Sequence, residues 1–201
     1  MKVLLLEIPS DDHAFGGYLG GKAIQEILSL LKIDYDYRLI LSKKYFLKAL
    51  KKLSNYDILH IECHSDQEGI SCDPYNRSTP RGTMSWIDLS EELYEIDLEG
   101  KQLVLSGCLA GSIDSDADIL ADKKIGFRRV FAFDEEIEYD RAVAVWSGFY
   151  YLVSRKKQPS PRDFAVAVGK LNECFGGALV YFVRLEKGKI RRFQGIKNKR
   201  V

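Results

Sequence analysis

The chain has 201 residues, of which 46% are hydrophobic and 29% charged, a composition typical of globular proteins and not of disordered or fibrous ones. Its 30 basic and 29 acidic side chains leave a formal net charge of +1, so no broad positive field favours nucleic-acid binding. No apolar run approaches the roughly 18 residues of a membrane-spanning helix, and Glu7 interrupts the first apolar stretch, which no signal-peptide cleavage site follows. We therefore expect one domain over residues 1–201 in the cytoplasm, without a nucleic-acid or membrane partner and with its four cysteines as thiols.

Strand-like apolar runs alternate with amphipathic helical patterns along the chain. The predicted strands cover residues 2–8, 35–41, 56–63, 101–107, 128–133 and 178–186. The predicted helices cover residues 20–32, 43–53, 85–96, 139–155 and 160–175. Strands separated by helices pair in parallel through right-handed crossovers, with helices on both faces of the sheet. The sequence therefore predicts an α/β fold, as a three-layer α/β/α sandwich around a mainly parallel six-stranded sheet.

Two segments depart from this alternation. Residues 66–84 form a polar stretch with two prolines, which predicts an irregular loop of a length that is often functional. The basic tail, residues 187–200, is expected to fray after a short hairpin-like turn at Lys187 and Gly188.

The candidate site follows from where the predicted strands end. Open α/β sheets collect their sites beyond the carboxyl ends of the strands. The third predicted strand is followed by His64, and the fourth by Cys108, so parallel pairing brings both to one edge of the sheet. His60 lies four residues earlier, about 13 Å back along the strand at roughly 3.3 Å per residue. We therefore expect His60 to be a buried structural histidine that is hydrogen-bonded to a neighbour.

A thiol and an imidazole at one sheet edge suit nucleophilic catalysis. A cysteine thiol is mostly protonated at neutral pH, and a nearby imidazole can take its proton to give the reactive thiolate. The imidazolium can then protonate a leaving amine, while backbone N–H groups stabilise the oxyanion. Gly107 and Gly111 allow the backbone around Cys108 to turn tightly.

The sequence around these residues resembles the caspase-like cysteine peptidases, a clan that includes caspases, metacaspases, separases and CHAT domains. The resemblance is closest to a stand-alone CHAT domain and rests on "DILHIECHS", "WIDLSEELYEIDLEGK", "QLVLSGCLAG" and "YDRAVAVWSGFYYLV". It implies that His64 is the general base, that Cys108 is the nucleophile, and that the backbone amides of Ser65 and Cys108 form the oxyanion hole. Ser65 stands where the family usually has Gly, so a positive φ there would strain it.

The resemblance implies a cysteine endopeptidase that acts on proteins or peptides, with a regulatory protein as a further candidate partner and without a cofactor or metal. A basic P1 residue is one option for the substrate, and the candidate pocket carboxylates are Asp66, Asp114, Asp116 and Asp134. The alternative is a catalytically inactive caspase-fold module that binds or regulates another protein.

Two other interpretations fit less well. "GGYLGGK", residues 16–22, matches a phosphate-binding loop, but Ala23 stands where that loop has Ser or Thr. A metal site built from His60, Cys63, His64 and Cys72 does not have the spacing of a zinc site. In addition, Cys63 and His64 would point to opposite faces of a strand.

Overall fold

A seven-stranded sheet forms the centre of the molecule in a computed structural model, which describes residues 1–9, 16–71, 83–122, 124–185 and 189–195. Its strands follow the order β2-β1-β3-β6-β7-β8-β9. Their bounds are β1 Lys2–Glu7, β2 Asp34–Leu39, β3 Ile58–Glu62, β6 Gln102–Ser106, β7 Arg129–Phe133, β8 Leu179–Arg184 and β9 Ile190–Phe193. In this sheet the pairs β2–β1, β1–β3, β3–β6 and β6–β7 are parallel, whereas the pairs β7–β8 and β8–β9 are antiparallel. The mainly parallel α/β architecture that the sequence predicts is confirmed.

The seventh strand, β9, corrects the predicted count of six. It arises from the basic tail that was expected to fray, although the predicted turn at Lys187 and Gly188 lies outside the described residues. Phe193 stacks on Tyr181 of β8 with ring centroids 5.3 Å apart, and Arg192 forms an ion pair with Asp134. These contacts stabilise β9, an edge strand that is half-exposed and charged. Its sequence lacks the alternation of apolar and polar residues that would have predicted a strand.

Five helices among the described residues cover the two faces of the sheet. Their bounds are α1 Gly20–Leu30, α2 Lys43–Leu50, α3 Trp86–Leu93, α4 Tyr139–Ser154 and α5 Pro161–Phe175. One core lies between the sheet and α2 and α3, and a second, rich in aromatic rings, lies beneath α1, α4 and α5. This gives the predicted three layers. No helix in the described part of the chain is long and apolar enough to cross a membrane.

The segment predicted as an irregular loop contains a short antiparallel ladder. Strand β4, Gly69–Ser71, pairs with β5, Thr83–Ser85, and residues 72–82 between them lie outside the described part. A Cβ at Gly69 would lie 2.1 Å from the carbonyl oxygen of Met84, so the close pairing requires glycine. Ser85 then caps α3 in a reciprocal capping box with Asp88, which ties the ladder to the helix.

Candidate active site

The ends of β3 and β6 bring His64 and Cys108 to one edge of the sheet. Glu62 and Ser106 are register partners at the two strand ends, and the Cys63 amide donates to the Ser106 carbonyl at 3.1 Å. His64 and Cys108 each follow two residues after those partners. Both line one pocket of about 80 Å³, called the Cys108 pocket below. Its volume suits a single side chain, since sites for whole small molecules occupy roughly 300–1,000 Å³.

The Cys108 thiol is half-buried against the loop that follows β7. The Ile137 amide donates to Sγ at 3.5 Å, and Sγ lies 3.8 Å from the Ile137 carbonyl oxygen. Leu109, the next residue, has φ +59°, a left-handed conformation that non-glycine residues rarely adopt. Its amide donates to the Glu135 carbonyl at 3.2 Å, which helps to hold the turn. Strained backbone of this kind occurs preferentially at functional sites.

Ser65 joins the His64 loop to the Cys108 loop. Its hydroxyl donates to the Cys108 carbonyl at 2.7 Å, a bond that a glycine at this position could not make. Ser65 is not among the described residues with positive φ, so the strain considered from the sequence does not arise. A Cβ at Gly107 would lie 2.2 Å from Ser65 Oγ, so glycine at 107 provides the space that Ser65 occupies.

The backbone N–H groups of Ser65 and Cys108 belong to the two loops that the Ser65 hydroxyl joins. The hydrogen bonds found among the described residues do not use the N–H of Ser65 or of Cys108 as a donor. The antiparallel bridge between Ser65 and Ile70 forms its hydrogen bonds through the residues on either side instead. Unpaired amides that flank a nucleophile are the donors that an oxyanion needs.

A buried carboxylate anchors the start of α1. Glu7 at the end of β1 accepts hydrogen bonds from the amides of Gly21 and Lys22 and from the Tyr37 hydroxyl, at 3.0, 3.1 and 2.5 Å. Burial raises the pKa of Glu7, and the nearby charge of Glu62 raises it further, while the three hydrogen bonds oppose the rise. The "GGYLGGK" amides therefore bind a carboxylate of the protein itself, which replaces the missing side-chain cap of α1.

Glu62 supplies a second carboxylate to the Cys108 pocket, and His60 lies behind it. The Nε2 atom of His60 is 3.5 Å from Glu62 Oε2, which is buried without a hydrogen-bond partner. His60 is fully buried, and its Nδ1 lies 2.9 Å from the Tyr150 hydroxyl, so the predicted structural role is confirmed. Burial and the Glu62 charge raise the pKa of Tyr150 far above its ordinary range, so its hydroxyl stays protonated.

The charge of the Cys108 pocket is negative. Glu7 and Glu62 line it, and His64 is its one basic side chain among the described residues. Gly20 also lines the pocket, and a Cβ there would lie 2.8 Å from Glu62 Oε1, so glycine leaves room for the carboxylate. A Tyr18–Tyr139 edge-to-face ring pair, with centroids 6.0 Å apart, forms a further part of the lining. The pocket therefore favours a cationic side chain.

The four aspartates singled out in the sequence lie elsewhere. Asp66 accepts from the amides of Glu68 and Gly69 and lines a separate pocket of about 210 Å³, shared with His64. Asp134 is paired with Arg192. None of the four belongs to the lining of the Cys108 pocket. The remaining two are both exposed: Asp114 lies in the turn after Cys108, and Asp116 begins a short 3₁₀ helix, Asp116–Ala121.

Glu7 and Glu62 are site residues that the sequence reasoning missed. Each is a carboxylate that closes an otherwise apolar strand, and each strand ends at the edge where a site is expected. A carboxylate at the end of a strand was thus the sequence feature that could have identified both residues. The described residues contain no group of three or more His, Cys, Asp or Glu arranged to hold a metal, and Cys72 lies outside them.

Two solved structures share this arrangement of strands and helices. Separase from Saccharomyces cerevisiae, solved in complex with securin, matches with a TM-score of 0.53 and 14% identity over 90% of this chain. The Arg-specific cysteine proteinase gingipain R matches with a TM-score of 0.54 and 9% identity over 87% of this chain. The chain spans 11% of the separase chain and 42% of the gingipain chain. No family model and no curated protein matches the sequence.

These likenesses define the class of fold. The mostly parallel sheet with helices on both faces is the caspase-like fold, as the sequence predicts. At such low identities the likeness concerns the fold, and function depends on the chemistry of the site.

Proposed function

We propose that the protein is a cysteine endopeptidase of the caspase-like clan, most similar to CHAT domains, with Cys108 as nucleophile and His64 as general base. One observation carries the proposal: both residues follow register-paired strand ends and line the same pocket. The left-handed Leu109 directly after the cysteine also favours a functional turn over simple core packing.

The proposed reaction uses the side chains of His64 and Cys108 and two backbone N–H groups. His64 takes the thiol proton of Cys108, and the thiolate attacks the scissile carbonyl carbon. The carbonyl oxygen takes up the displaced electron pair and is stabilised by the backbone N–H groups of Ser65 and Cys108. The imidazolium of His64 protonates the amine as the C–N bond breaks, and water then hydrolyses the thioester with His64 again acting as base.

The preferred substrate carries Arg or Lys at P1. Glu62 is the proposed partner of that side chain, since it lines the Cys108 pocket and its side chain is partly exposed. Gingipain R, which has a similar fold, is an Arg-specific cysteine proteinase. Asp66 borders His64 from its other side and remains a proposed contact for neighbouring substrate residues. Asp114, Asp116 and Asp134 are proposed to contribute only through longer-range charge.

The setting proposed for this activity is a single domain over residues 1–201, acting in the cytoplasm on protein or peptide substrates. A regulatory protein is a further proposed partner, by analogy with separase, which was solved bound to securin. Neither a cofactor nor a metal enters the proposed reaction, because proton transfer between a thiol and an imidazole needs none.

Hydrolysis of peptide substrates tests the proposal. Fluorogenic peptides with Arg, Lys, Asp or Gln at P1 are compared by kcat/KM. We expect Cys108→Ala to abolish turnover and His64→Gln to lower it by about 10²- to 10⁴-fold. Cys174, an exposed thiol on α5, provides the matched control, and Cys174→Ala should retain full activity. Equal turnover by wild type and Cys108→Ala would refute the proposal.

A further inference from the structure

A second cleft lies at the opposite edge of the sheet from Cys108. It opens where β3, β6 and β7 begin and reaches the first turn of α5, and it encloses about 580 Å³. That volume falls within the range of small-molecule sites. The proposed peptidase reaction does not use this cleft, which is called the Arg129 cleft below.

Arg129 is a buried cation, and no carboxylate among the described residues pairs with it. Its exposed fraction is 5%, and its Nε is buried with no hydrogen-bond partner. Among the described residues, Arg129 Nη1 donates one weak hydrogen bond to Gln102 Oε1 at 3.3 Å. The guanidinium carbon also lies over the ring of Phe164, 4.8 Å from its centroid. Burial lowers the pKa of Arg129, and the charge of Arg128 lowers it further. Buried charges are normally paired, so this one calls for a counter-ion.

The other charged groups of the cleft reinforce this demand. Arg128 and Lys157 also line it, and both are exposed. Asp57 is the one carboxylate of its described lining, and that side chain accepts a hydrogen bond from the Lys2 amide at 2.7 Å. Asp163, near the cleft on the first turn of α5, is bonded to the amide and hydroxyl of Ser160 at 2.9 and 2.6 Å. The cleft therefore has a net positive charge.

We propose that the Arg129 cleft binds a small organic anion through its phosphate or carboxylate group. The oxyanion meets the guanidinium of Arg129, whose planar fork suits two parallel hydrogen bonds, and is flanked by Arg128 and Lys157. The apolar part of the ligand packs on Pro159 and Pro161, which also line the cleft and are less buried. Size, apolar walls and convergent donors are the usual features of a small-molecule site.

Calorimetric titration of the full chain tests this site with three probes: phenyl phosphate, inorganic phosphate and benzoate, at ionic strength balanced with sodium chloride. We expect saturable binding of at least one organic probe, and phenyl phosphate should bind more tightly than inorganic phosphate because of the apolar walls. Binding of phenyl phosphate with none of benzoate identifies a phosphoryl ligand. Binding of benzoate as tight as that of phenyl phosphate identifies a carboxylate ligand.

Variants separate a built site from surface charge. Lys157→Ala and Arg128→Ala change exposed residues, and each should weaken binding about tenfold, as loss of a charged hydrogen bond does. Lys156→Ala is the matched control, since Lys156 is the exposed neighbour of Lys157 and lies outside the cleft lining. Arg129→Met should abolish binding while circular dichroism shows a folded protein. Absence of saturable binding with all three probes, or equal weakening by Lys156→Ala and Lys157→Ala, would overturn the proposal.

Discussion

Replacement of Glu62 by Gln removes one negative charge from the Cys108 pocket and keeps the shape of the side chain. The Glu62 side chain is 15% exposed, and its Oε2 faces His60 Nε2 at 3.5 Å without a hydrogen bond. A P1 guanidinium or ammonium would therefore meet the exposed part of this carboxylate, on the side away from His60. Truncating one partner of a buried charge pair costs about 2–5 kcal/mol. Because Glu62 is partly exposed, we expect the lower end, about 2–3 kcal/mol, which is roughly a 30- to 150-fold loss.

The assay compares kcat/KM for two peptides that differ only at P1, one with Arg and one with norleucine. Glu62→Gln should lower the value for the Arg peptide by that factor and leave the norleucine peptide within about threefold, since only the charged substrate loses a partner. Glu26→Gln is the matched control, because Glu26 is an exposed carboxylate on α1 outside the pocket lining. A Glu62→Gln enzyme that still prefers Arg as strongly as wild type, or equal losses for both peptides, would refute the role of Glu62.

Three further predictions concern stability near the site. Tyr37→Phe removes the hydroxyl that donates to Glu7, and urea unfolding at pH 7 should show a loss of about 1–2 kcal/mol; an unchanged midpoint would contradict this. Burial raises the pKa of Glu7 above its ordinary value of 4.5, so Glu7 ionises at a lower pH in the unfolded state than in the folded state. The stability that protonated Glu7 contributes is therefore lost as the pH rises from about 4.5 through its folded pKa. Urea unfolding between pH 4 and 7 should therefore show a smaller decline for Glu7→Gln than for wild type, and parallel curves would contradict it. Leu109→Gly should be more stable than Leu109→Ala by about 1 kcal/mol in thermal unfolding, because only glycine relieves the left-handed φ of +59°; the reverse order would exclude strain there.

The parallel sheet and the edge that holds His64 and Cys108 could be predicted from the sequence. Each central strand is buried on both faces and reads as a continuous apolar run, and parallel pairing then aligns the residues that follow the strand ends. His60 could be assigned a structural role for the same reason, since strand geometry places it well back from the edge.

Other features depend on contacts between distant parts of the chain. Strand β9 carries too many charges to look like a strand, and its contacts with Tyr181 and Asp134 become visible only in the folded sheet. The link from Ser65 to the Cys108 carbonyl crosses two loops and depends on the space left by Gly107. Local sequence patterns do not indicate such contacts. The sequence therefore showed Ser65 only as a difference from the resembled pattern, whereas in the structure its side chain forms an additional hydrogen bond.

Covalent labelling tests whether Cys108 is the reactive nucleophile of the protein. The protein is treated with a peptidyl acyloxymethyl ketone that carries Arg at P1, and the modified peptide is identified by mass spectrometry. We expect one adduct, on Cys108, that is lost in Cys108→Ala and forms much more slowly in His64→Gln, while the exposed Cys174 stays unmodified. Equal labelling of wild type and Cys108→Ala, or an adduct on Cys174 in place of Cys108, would contradict it.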